Sequence, residues 1–285
     1  MRVITSIKGV RDEIYKSDDP VGFIPTMGAL HDGHMALVSR ALLENAIVVV
    51  SIFINPNQFD SNGDFEDYPR DNVSDLGKLK KAGVGIVFTP EVEEMYPNGF
   101  DTYVDIGKIG NLLEGKSRRE HFKGVSTILC KLLATIRPKR AYFGQKDAQQ
   151  CLVVKQLNRD LDLGTEIVVV STVRDSNGLA FSSRNAYLGN DEKRAASVLY
   201  RSLVLASDLW RQGERDAKKI RNRMRDLVNT ESIALIDYIS IADADNLQEL
   251  DFIDRRALVS LAVQFGKSRL IDNVIIGGLV ENTRN

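Results

Sequence analysis

The chain has 285 residues, of which 43% are hydrophobic and 27% charged, a composition typical of a globular protein with one large or two smaller domains. Its formal net charge of -1 gives no indication of nucleic-acid binding, and its longest apolar run, "AIVVVSIFI", is too short to span a membrane. We expect no signal peptide, because the N-terminal residues lack an apolar core. Cys130 and Cys151 fit neither a zinc spacing nor a disulfide framework, which favours a cytoplasmic protein.

The first part of the chain alternates apolar strand-like runs with helical patterns. The predicted strands are 21–25, 46–55, 85–88, 140–144 and 166–172, and the predicted helices are 32–44, 71–82, 121–136 and 148–160. The strands are rich in β-branched residues and apolar almost throughout, as is typical of strands buried on both faces. This alternation predicts a parallel sheet with right-handed crossovers, whose ligands bind beyond the carboxyl ends of the strands.

The pattern changes after about residue 175. One long charged helical region, 191–228, is followed by three short strand-like runs at 236–244, 256–266 and 269–276. These runs suit a small sheet, so we expect a second, smaller α/β domain. We therefore predict an α/β protein with a parallel-sheet domain at 1–175 and a smaller domain at 176–285.

The segment "PTMGALHDGH", residues 25–34, follows the first predicted strand. Gly28 allows a tight turn and a close approach of ligand to backbone, and Asp32 is expected to cap the next helix. The free N–H groups of that helix end attract anions. His31 and His34, three residues apart, are expected to point to one side. The simpler interpretation is two polar residues in a turn, but the position after a strand favours a phosphate site.

Two more segments follow predicted strands. Asn55 and Gln58 in "NPNQF" offer amides that bind hydroxyls and carboxylates, although local chemistry alone favours a plain turn. In "FGQKDAQQ", Lys146 is placed where an ammonium group reaches phosphates, Asp147 starts a helix and Gln150 lies one turn along it. The alternative for this second segment is a solvated Lys–Asp pair.

Two basic segments complete the set. Ser182, Ser183 and Arg184 in "FSSRN" form a compact anion-binding cluster, or else part of a polar interdomain loop. The run "LEGKSRREHFKGV", residues 113–125, contains the third histidine, His121. Taken alone it favours a surface loop before a helix, and the alternative is a basic lid over the same strand ends.

In their order and spacing, these motifs resemble the pantoate–β-alanine ligase family. The resemblance runs from about residue 3 to Leu188 and continues more weakly to "RLIDN" near residue 271. More widely, the chain is similar to nucleotidyltransferases with an HxGH signature, which share a Rossmann-type fold. The resemblance implies condensation of (R)-pantoate with β-alanine to pantothenate, a coenzyme A precursor. It also implies that ATP is cleaved to AMP and pyrophosphate through a pantoyl adenylate, with Mg²⁺, in a homodimer.

The resemblance also implies roles for individual residues. The positions that match the family's ATP site are Met27, Gly28, Ala29, Leu30, His31, Asp32, Gly33, His34, Gly144, Gln145, Lys146, Asp147, Val173, Phe181, Ser182, Ser183 and Arg184. His34 matches the residue usually assigned as catalytic. Gln58 and Gln150 match the pantoate-binding glutamines, and Gln58 is also placed near β-alanine. No ligands of Mg²⁺ are implied.

The chemistry of adenylation fits these side chains. A carboxylate attacks the α-phosphorus, negative charge grows on the phosphate oxygens, and no covalent nucleophile is needed. We expect four residues to be catalytic by supplying donors to this charge: His31, His34, Lys146 and Arg184. Small-molecule substrates are the expected partners, without nucleic acid or membrane.

Two other functions remain open at this stage. One is another HxGH nucleotidyltransferase acting on a small acid or a phosphorylated substrate, which should not need glutamines at 58 and 150. The other is a regulatory module that binds nucleotide without turnover.

The sequence also departs from the family pattern at Asn57, where the family often has methionine, and at Gln145, where it often has glutamate. The first change alters the lining beside Gln58, and the second removes a negative charge beside Lys146.

Overall fold

The fold is that of a computed structural model, which describes residues 1–59 and 62–277. The chain divides into two compact units, Met1–Val173 and a second beginning at Arg174, whereas the predicted boundary lies two residues later. The strands are β1 (Arg2–Ile4), β2 (Val21–Thr26), β3 (Ile47–Ile52), β4 (Ile86–Phe88), β5 (Arg140–Gly144), β6 (Glu166–Val170), β7 (Ala234–Asp243), β8 (Ala257–Phe265) and β9 (Ser268–Ile276).

The helices of the first unit surround its sheet. They are α1 (Ile7–Ile14), α2 (Asp32–Glu44), α3 (Asn62–Asp67), α4 (Asn72–Ala82), α5 (Val92–Met95), α6 (Glu114–Ser117), α7 (His121–Ile136) and α8 (Ala148–Asp160). Helices α2, α7 and α8 have the predicted bounds. The short β1 and α1 were not predicted, because β1 is only three residues long and mostly exposed.

The sheet of the first unit contains six parallel strands in the order β1-β4-β3-β2-β5-β6. Strand β2 lies between β3 and β5. The chain continues from β3 to β4 on one side of β2, and from β5 to β6 on the other side. In sheets of this type the reversal leaves a crevice beyond the carboxyl ends of the strands, where ligands bind. The segments that follow β2 and β5 are therefore the first place to look for a site.

The parallel strands are buried on both faces, as their apolar composition predicts. Adjacent residues of β3 alternate between two cores, with Val49 facing one and Val48 and Val50 the other. The first core contains buried side chains of α1, α7 and α8, and the second those of α2 and α4. This two-sided burial fixes the strand ends from which the polar segments emerge.

The second unit has its own core and sheet. Strands β7, β8 and β9 form an antiparallel sheet in that order, which confirms the small sheet expected here. The helical region predicted at 191–228 consists of three helices. They are α9 (Asn190–Ala196), α10 (Val198–Arg211) and α11 (Ala217–Val228). Gly213 in a left-handed conformation and the Asp216 cap separate α10 from α11.

Candidate active site

The turn between β2 and α2 places the two histidines beyond the central strand. Gly28 and Ala29 both adopt positive φ angles, of 81° and 51°, and the chain then enters α2. His31 is the N-cap residue of α2, with extended backbone, and its carbonyl accepts the first helical hydrogen bond from Met35 at 3.1 Å. The predicted Asp32 cap is therefore wrong, because the helix begins one residue earlier and Asp32 is its first residue.

The two imidazole rings lie side by side, as their three-residue spacing predicts. Their centroids are 4.0 Å apart with an interplanar angle of 33°. The backbone N–H of His31 donates to Nδ1 of His34 at 3.4 Å. Because Nδ1 of His34 accepts this bond, the proton of the neutral ring is on Nε2. His34 therefore presents an N–H donor on the side away from the backbone.

Both histidines are neutral at physiological pH. Burial lowers the pKa of His31 to about 4, with a further contribution from the charge of Lys146. Burial also lowers the pKa of His34 to about 3, and the neighbouring His31 lowers it further. The pair can thus donate hydrogen bonds to phosphate oxygens without adding charge to the site.

Lys146 is one of the two lysines whose charges act on the histidines. It lies in a single 3₁₀ turn, Gln145–Asp147, between the end of β5 and the start of α8. Its ammonium group is 3.3 Å from Oδ1 of Asp147, and its side chain is 18% exposed. A solvated ion pair does not describe this lysine, because most of its side chain is removed from water.

Gln58 is held beside the histidine turn by contacts of its side-chain amide. It ends a 3₁₀ turn, Pro56–Gln58, just after β3. Nδ2 of Asn55 donates to Oε1 of Gln58 at 3.1 Å, and Nε2 of Gln58 lies 2.9 Å from Sδ of Met27. The amide oxygen is thus engaged, and the amide N–H groups are directed to the turn that follows β2. The turn predicted for "NPNQF" is present, and it ends with Gln58 beside Met27.

Residues distant in sequence brace Asn55. The hydroxyl of Tyr96 donates to Oδ1 of Asn55 at 2.7 Å, and Nδ2 of Asn55 also donates to the carbonyl of Gly124 at 3.1 Å. Helix α7 approaches so closely here that a Cβ at position 124 would lie 2.0 Å from the carbonyl oxygen of Asn57. Only glycine permits this contact, which fixes α7 against the 3₁₀ turn.

The basic segment 113–125 also contacts Gln58. The carbonyl of Gln58 accepts hydrogen bonds from Nη2 of Arg118 at 3.1 Å and from Nδ1 of His121 at 2.7 Å. The segment forms α6 and the start of α7 rather than only the surface loop that its composition favoured. No pattern in the sequence indicated this contact, because the partners are about 60 residues apart.

The adjacent glutamines of α8 have different environments. Gln149 is 5% exposed, accepts from the backbone of Glu114 at 3.0 Å and donates to two carbonyls of the segment 109–112. Gln150 is half-buried at the next position, on the first turn of α8. Gln149 thus braces the fold, and Gln150 is the more accessible of the two.

The remaining predicted residues lie at or beyond the end of the first unit. Val173 is the last residue of that unit, and Phe181–Arg184 belong to the second. Within the second unit, Oγ of Ser182 accepts from the backbone N–H of Arg184 at 3.3 Å and caps a 3₁₀ turn, Ser183–Tyr187. This cap determines the direction in which the serine and arginine side chains leave the backbone.

The described residues do not form a resident metal site. In residues 1–59 and 62–277, no group of three or more His, Cys, Asp and Glu side chains is arranged to hold an ion. The charged groups that act on His31 are two lysines, Lys146 and Lys78, and two aspartates, Asp147 and Asp32. Burial raises the pKa of Cys151 to about 12, so its thiol is not a nucleophile. In the same parts of the chain no helix is long and apolar enough to cross a bilayer.

The chain is similar to known proteins over nearly its whole length. The family model described as pantoate–β-alanine ligase matches residues 2–275. The pantothenate synthetases of Roseiflexus sp. (strain RS-1) and Acetivibrio thermocellus are 49% and 48% identical to the chain. Each match covers 97% of the chain and 99% of the relative.

Solved structures give the same result. The crystal structure of pantothenate synthetase from Thermus thermophilus has a TM-score of 0.92 and 42% identity, covering 96% of this chain and 99% of that one. The pantoate–β-alanine ligase from Francisella tularensis, solved with Beta-gamma ATP and β-alanine, has a TM-score of 0.80 and 34% identity. That match covers 96% of this chain and 97% of the other. The chain belongs to the pantoate–β-alanine ligase family.

Proposed function

We propose that the chain condenses (R)-pantoate with β-alanine in two steps, through a pantoyl adenylate formed from ATP with release of pyrophosphate. The overall reaction, ATP-dependent formation of pantothenate, is that of the family to which the chain belongs. The main observation in support of the adenylate intermediate is the pair of neutral imidazoles at the start of α2. The charge of Lys146, which follows the neighbouring strand β5, acts on both of them. These groups suit a phosphate that gains charge during the reaction.

In the first step, the pantoate carboxylate attacks the α-phosphorus of ATP. The pyrophosphate leaves, and the negative charge that develops on phosphate oxygens is stabilised by N–H donors of His31 and His34 and by the ammonium group of Lys146. The free backbone N–H groups at the start of α2 contribute in the same sense. Arg184, with Ser182 and Ser183, is proposed to bind ATP phosphates.

Pantoate is proposed to bind to Gln58 and Gln150. The amide N–H groups of Gln58 are directed to the turn that follows β2, because its oxygen accepts from Asn55 and its nitrogen lies beside Met27. They can donate to a hydroxyl or carboxylate without competing as an anion for the phosphorus. In the second step the amine of β-alanine, as its free base, attacks the activated carbonyl next to Gln58, and AMP leaves.

Mg²⁺ is proposed to enter as part of the MgATP substrate. The described residues form no cluster of metal ligands, and Mg²⁺ commonly binds substrate phosphates with few protein ligands. Supported by the resemblance alone, we also propose a cytoplasmic homodimer. A nucleotidyltransferase acting on a phosphorylated substrate is not favoured, because the family match covers residues 2–275.

The deciding experiment is product analysis with (R)-pantoate, β-alanine, ATP and Mg²⁺. We expect pantothenate, AMP and pyrophosphate in equal amounts. Without β-alanine, labelled pyrophosphate should still exchange into ATP when pantoate is present. With ¹⁸O in the pantoate carboxylate, one label should appear in AMP, because that oxygen bridges to the α-phosphorus. Formation of ADP with label in inorganic phosphate would indicate an acyl phosphate and contradict the adenylate.

A further inference from the structure

Helix α4 binds both polar backbone groups of a single residue in the histidine turn. The N–H of Leu30 donates to Oδ1 of Asp75 at 2.8 Å, and Nζ of Lys78 donates to the carbonyl of Leu30 at 2.6 Å. Asp75 is 1% exposed, so its bond is shielded from water. We call Asp75 and Lys78 the Leu30 clamp.

The turn that leads to Leu30 needs external support. Ala29 has a φ of 51°, a left-handed conformation that L-residues other than glycine adopt at a cost. On one side of it, the N–H of Gly28 donates to the hydroxyl of Thr26 at 3.2 Å. On the other side, the Leu30 clamp is the restraint. The turn also packs closely on Asp75, since a Cβ at position 28 would lie 3.1 Å from its Oδ2.

Helix α4 is well suited to act as the fixed support. Asp71 caps its first turn by accepting from the N–H of Ser74 at 3.0 Å, and Leu79 anchors it in the core. Residues three positions apart share one face of a helix, so Asp75 and Lys78 both reach the backbone of Leu30, one at its N–H and the other at its carbonyl. The carboxylate of Asp75 accepts from the N–H of Leu30, and the ammonium group of Lys78 donates to its carbonyl. The two bonds together orient the backbone of Leu30 in one direction only.

We propose that Asp75 and Lys78 are positioning residues that hold the left-handed turn, and with it the start of α2, in the geometry that adenylation requires. The inference rests on the proposed function of His31 and His34. His31 follows Leu30 directly, so a change in the backbone of Leu30 moves the helix N–H groups and both imidazoles together. Small displacements of catalytic groups have large effects on the reaction rate.

The test measures pyrophosphate exchange in the presence of pantoate at pH 8, where both imidazoles are neutral with or without Lys78. We expect Asp75→Ala and Lys78→Met each to lower the rate by about tenfold or more, because each removes a charge-assisted hydrogen bond. Lys78→Met also covers the case in which Asp75→Ala does not fold. The control is Lys81→Met, at an exposed lysine of the same helix, which should leave the rate unchanged.

Asp75→Asn separates positioning from a direct role of the carboxylate charge. The asparagine oxygen still accepts from the N–H of Leu30, so we expect the rate to stay within about threefold of the unmodified chain. A loss as large as that of Asp75→Ala would overturn the proposal, since it would mean that the charge itself contacts substrate.

Ala29 provides a readout that a general loss of stability would not give. Its ¹³Cα and ¹³Cβ shifts report the sign of φ, and we expect them to move away from left-handed values in Asp75→Ala and Lys78→Met. Because glycine adopts positive φ freely, the rate loss caused by Lys78→Met should be smaller in an Ala29→Gly background. Unchanged shifts, or an equal loss in both backgrounds, would overturn the proposal. If the unmodified chain shows no exchange, the proposed function fails instead.

Discussion

The charge of Lys146 acts on the two neutral imidazoles of His31 and His34. We predict that Lys146→Ala lowers the rate of pyrophosphate exchange on the order of 10²- to 10³-fold, because one preorganised donor to developing charge is lost. The measurement is the rate of pyrophosphate exchange in the presence of pantoate, together with a far-UV spectrum that confirms folding. Lys155→Ala, at an exposed position of α8, is the matched control and should retain the full rate. Normal turnover in the Lys146 variant would exclude the lysine from catalysis.

The two neighbouring glutamines of α8 offer a test with opposite expected outcomes. We predict that Gln150→Ala raises the KM for pantoate with little change in the KM for ATP, since it leaves a substrate group without a partner at a cost of about 1–3 kcal/mol. Gln149→Ala should instead lower thermal stability, because it removes three hydrogen bonds to the segment 109–114, one of them buried and two partly buried. A rise in the ATP KM alone for the Gln150 variant would mean that this glutamine is assigned to the wrong substrate.

The sequence predicts those candidate site residues that follow a strand directly. His31, His34, Lys146 and Gln58 could be predicted because a buried parallel strand ends just before each of their segments. The residues that hold them could not, since Asp75 and Lys78 contact Leu30 across about 45 residues of sequence. Tyr96 and Arg118 are linked to the site in the same way. Such contacts depend on how helices pack on the sheet, which no local pattern encodes.

At the scale of elements, a buried ion pair joins the start of the second unit to strand β9. Both Nη atoms of Arg174 contact the carboxylate of Asp272, which is 1% exposed, and the guanidinium lies 4.0 Å from the ring centroid of Tyr200. Arg174 also donates to the carbonyl of Gly178 at 3.1 Å. The pair therefore fixes the segment that leads to Phe181–Arg184.

We predict that Asp272→Ala destabilises the second unit by about 3–5 kcal/mol, because it leaves a buried guanidinium without its counterion. The free energy of unfolding in urea measures this effect. The matched control is Asp237→Ala, which breaks the more exposed Arg269–Asp237 pair of the same sheet and should cost about 1 kcal/mol or less. Equal losses in the two variants would show that burial does not distinguish these pairs.

Helices were predicted correctly where a strong helical periodicity of apolar residues ends at a clear boundary in the sequence. Helix α7, for example, has the predicted bounds, with a wide apolar face of buried side chains. The helical region predicted at 191–228 gave no position for the break at Ser197 between α9 and α10, because the helical pattern continues across it. The prediction failed at the cap of α2, since Asp32 is a better intrinsic cap than His31. The turn held by α4 decides that boundary instead.

For the whole molecule, the order of the parallel strands explains why residues from separate segments can act together. The reversal between β2 and β5 brings the histidine turn and the Lys146 turn to one crevice, and β3 adds Gln58 beside them. The same burial that forms this crevice keeps the imidazoles neutral. The stability of the first unit should therefore depend on pH through His31 and His34.

The sign of this dependence follows from the lowered pKa values. In the unfolded chain the imidazoles take up protons near pH 6.5, whereas in the folded chain they do so only at a pKa of about 4 for His31 and about 3 for His34. The two imidazoles therefore cost no stability well above pH 6.5. The free energy of unfolding falls as the pH decreases from there toward the pKa values of the folded chain. The charged groups that act on His31 are Lys146, Asp147, Asp32 and Lys78, and their opposing signs leave burial as the main cause.

We predict that the free energy of unfolding of the first unit falls between pH 7 and pH 5, with His34 alone contributing on the order of 1–2 kcal/mol. Urea unfolding of the unmodified chain is compared with that of a His31→Asn/His34→Asn variant over this range. The variant should lose less stability on acidification, because neither asparagine titrates, and the carboxylates contribute equally to both chains. Parallel pH profiles for the two chains would mean that the imidazoles take up protons as readily in the folded state as in the unfolded state. In that case the neutral donors assigned to the adenylation step would be charged at mildly acidic pH.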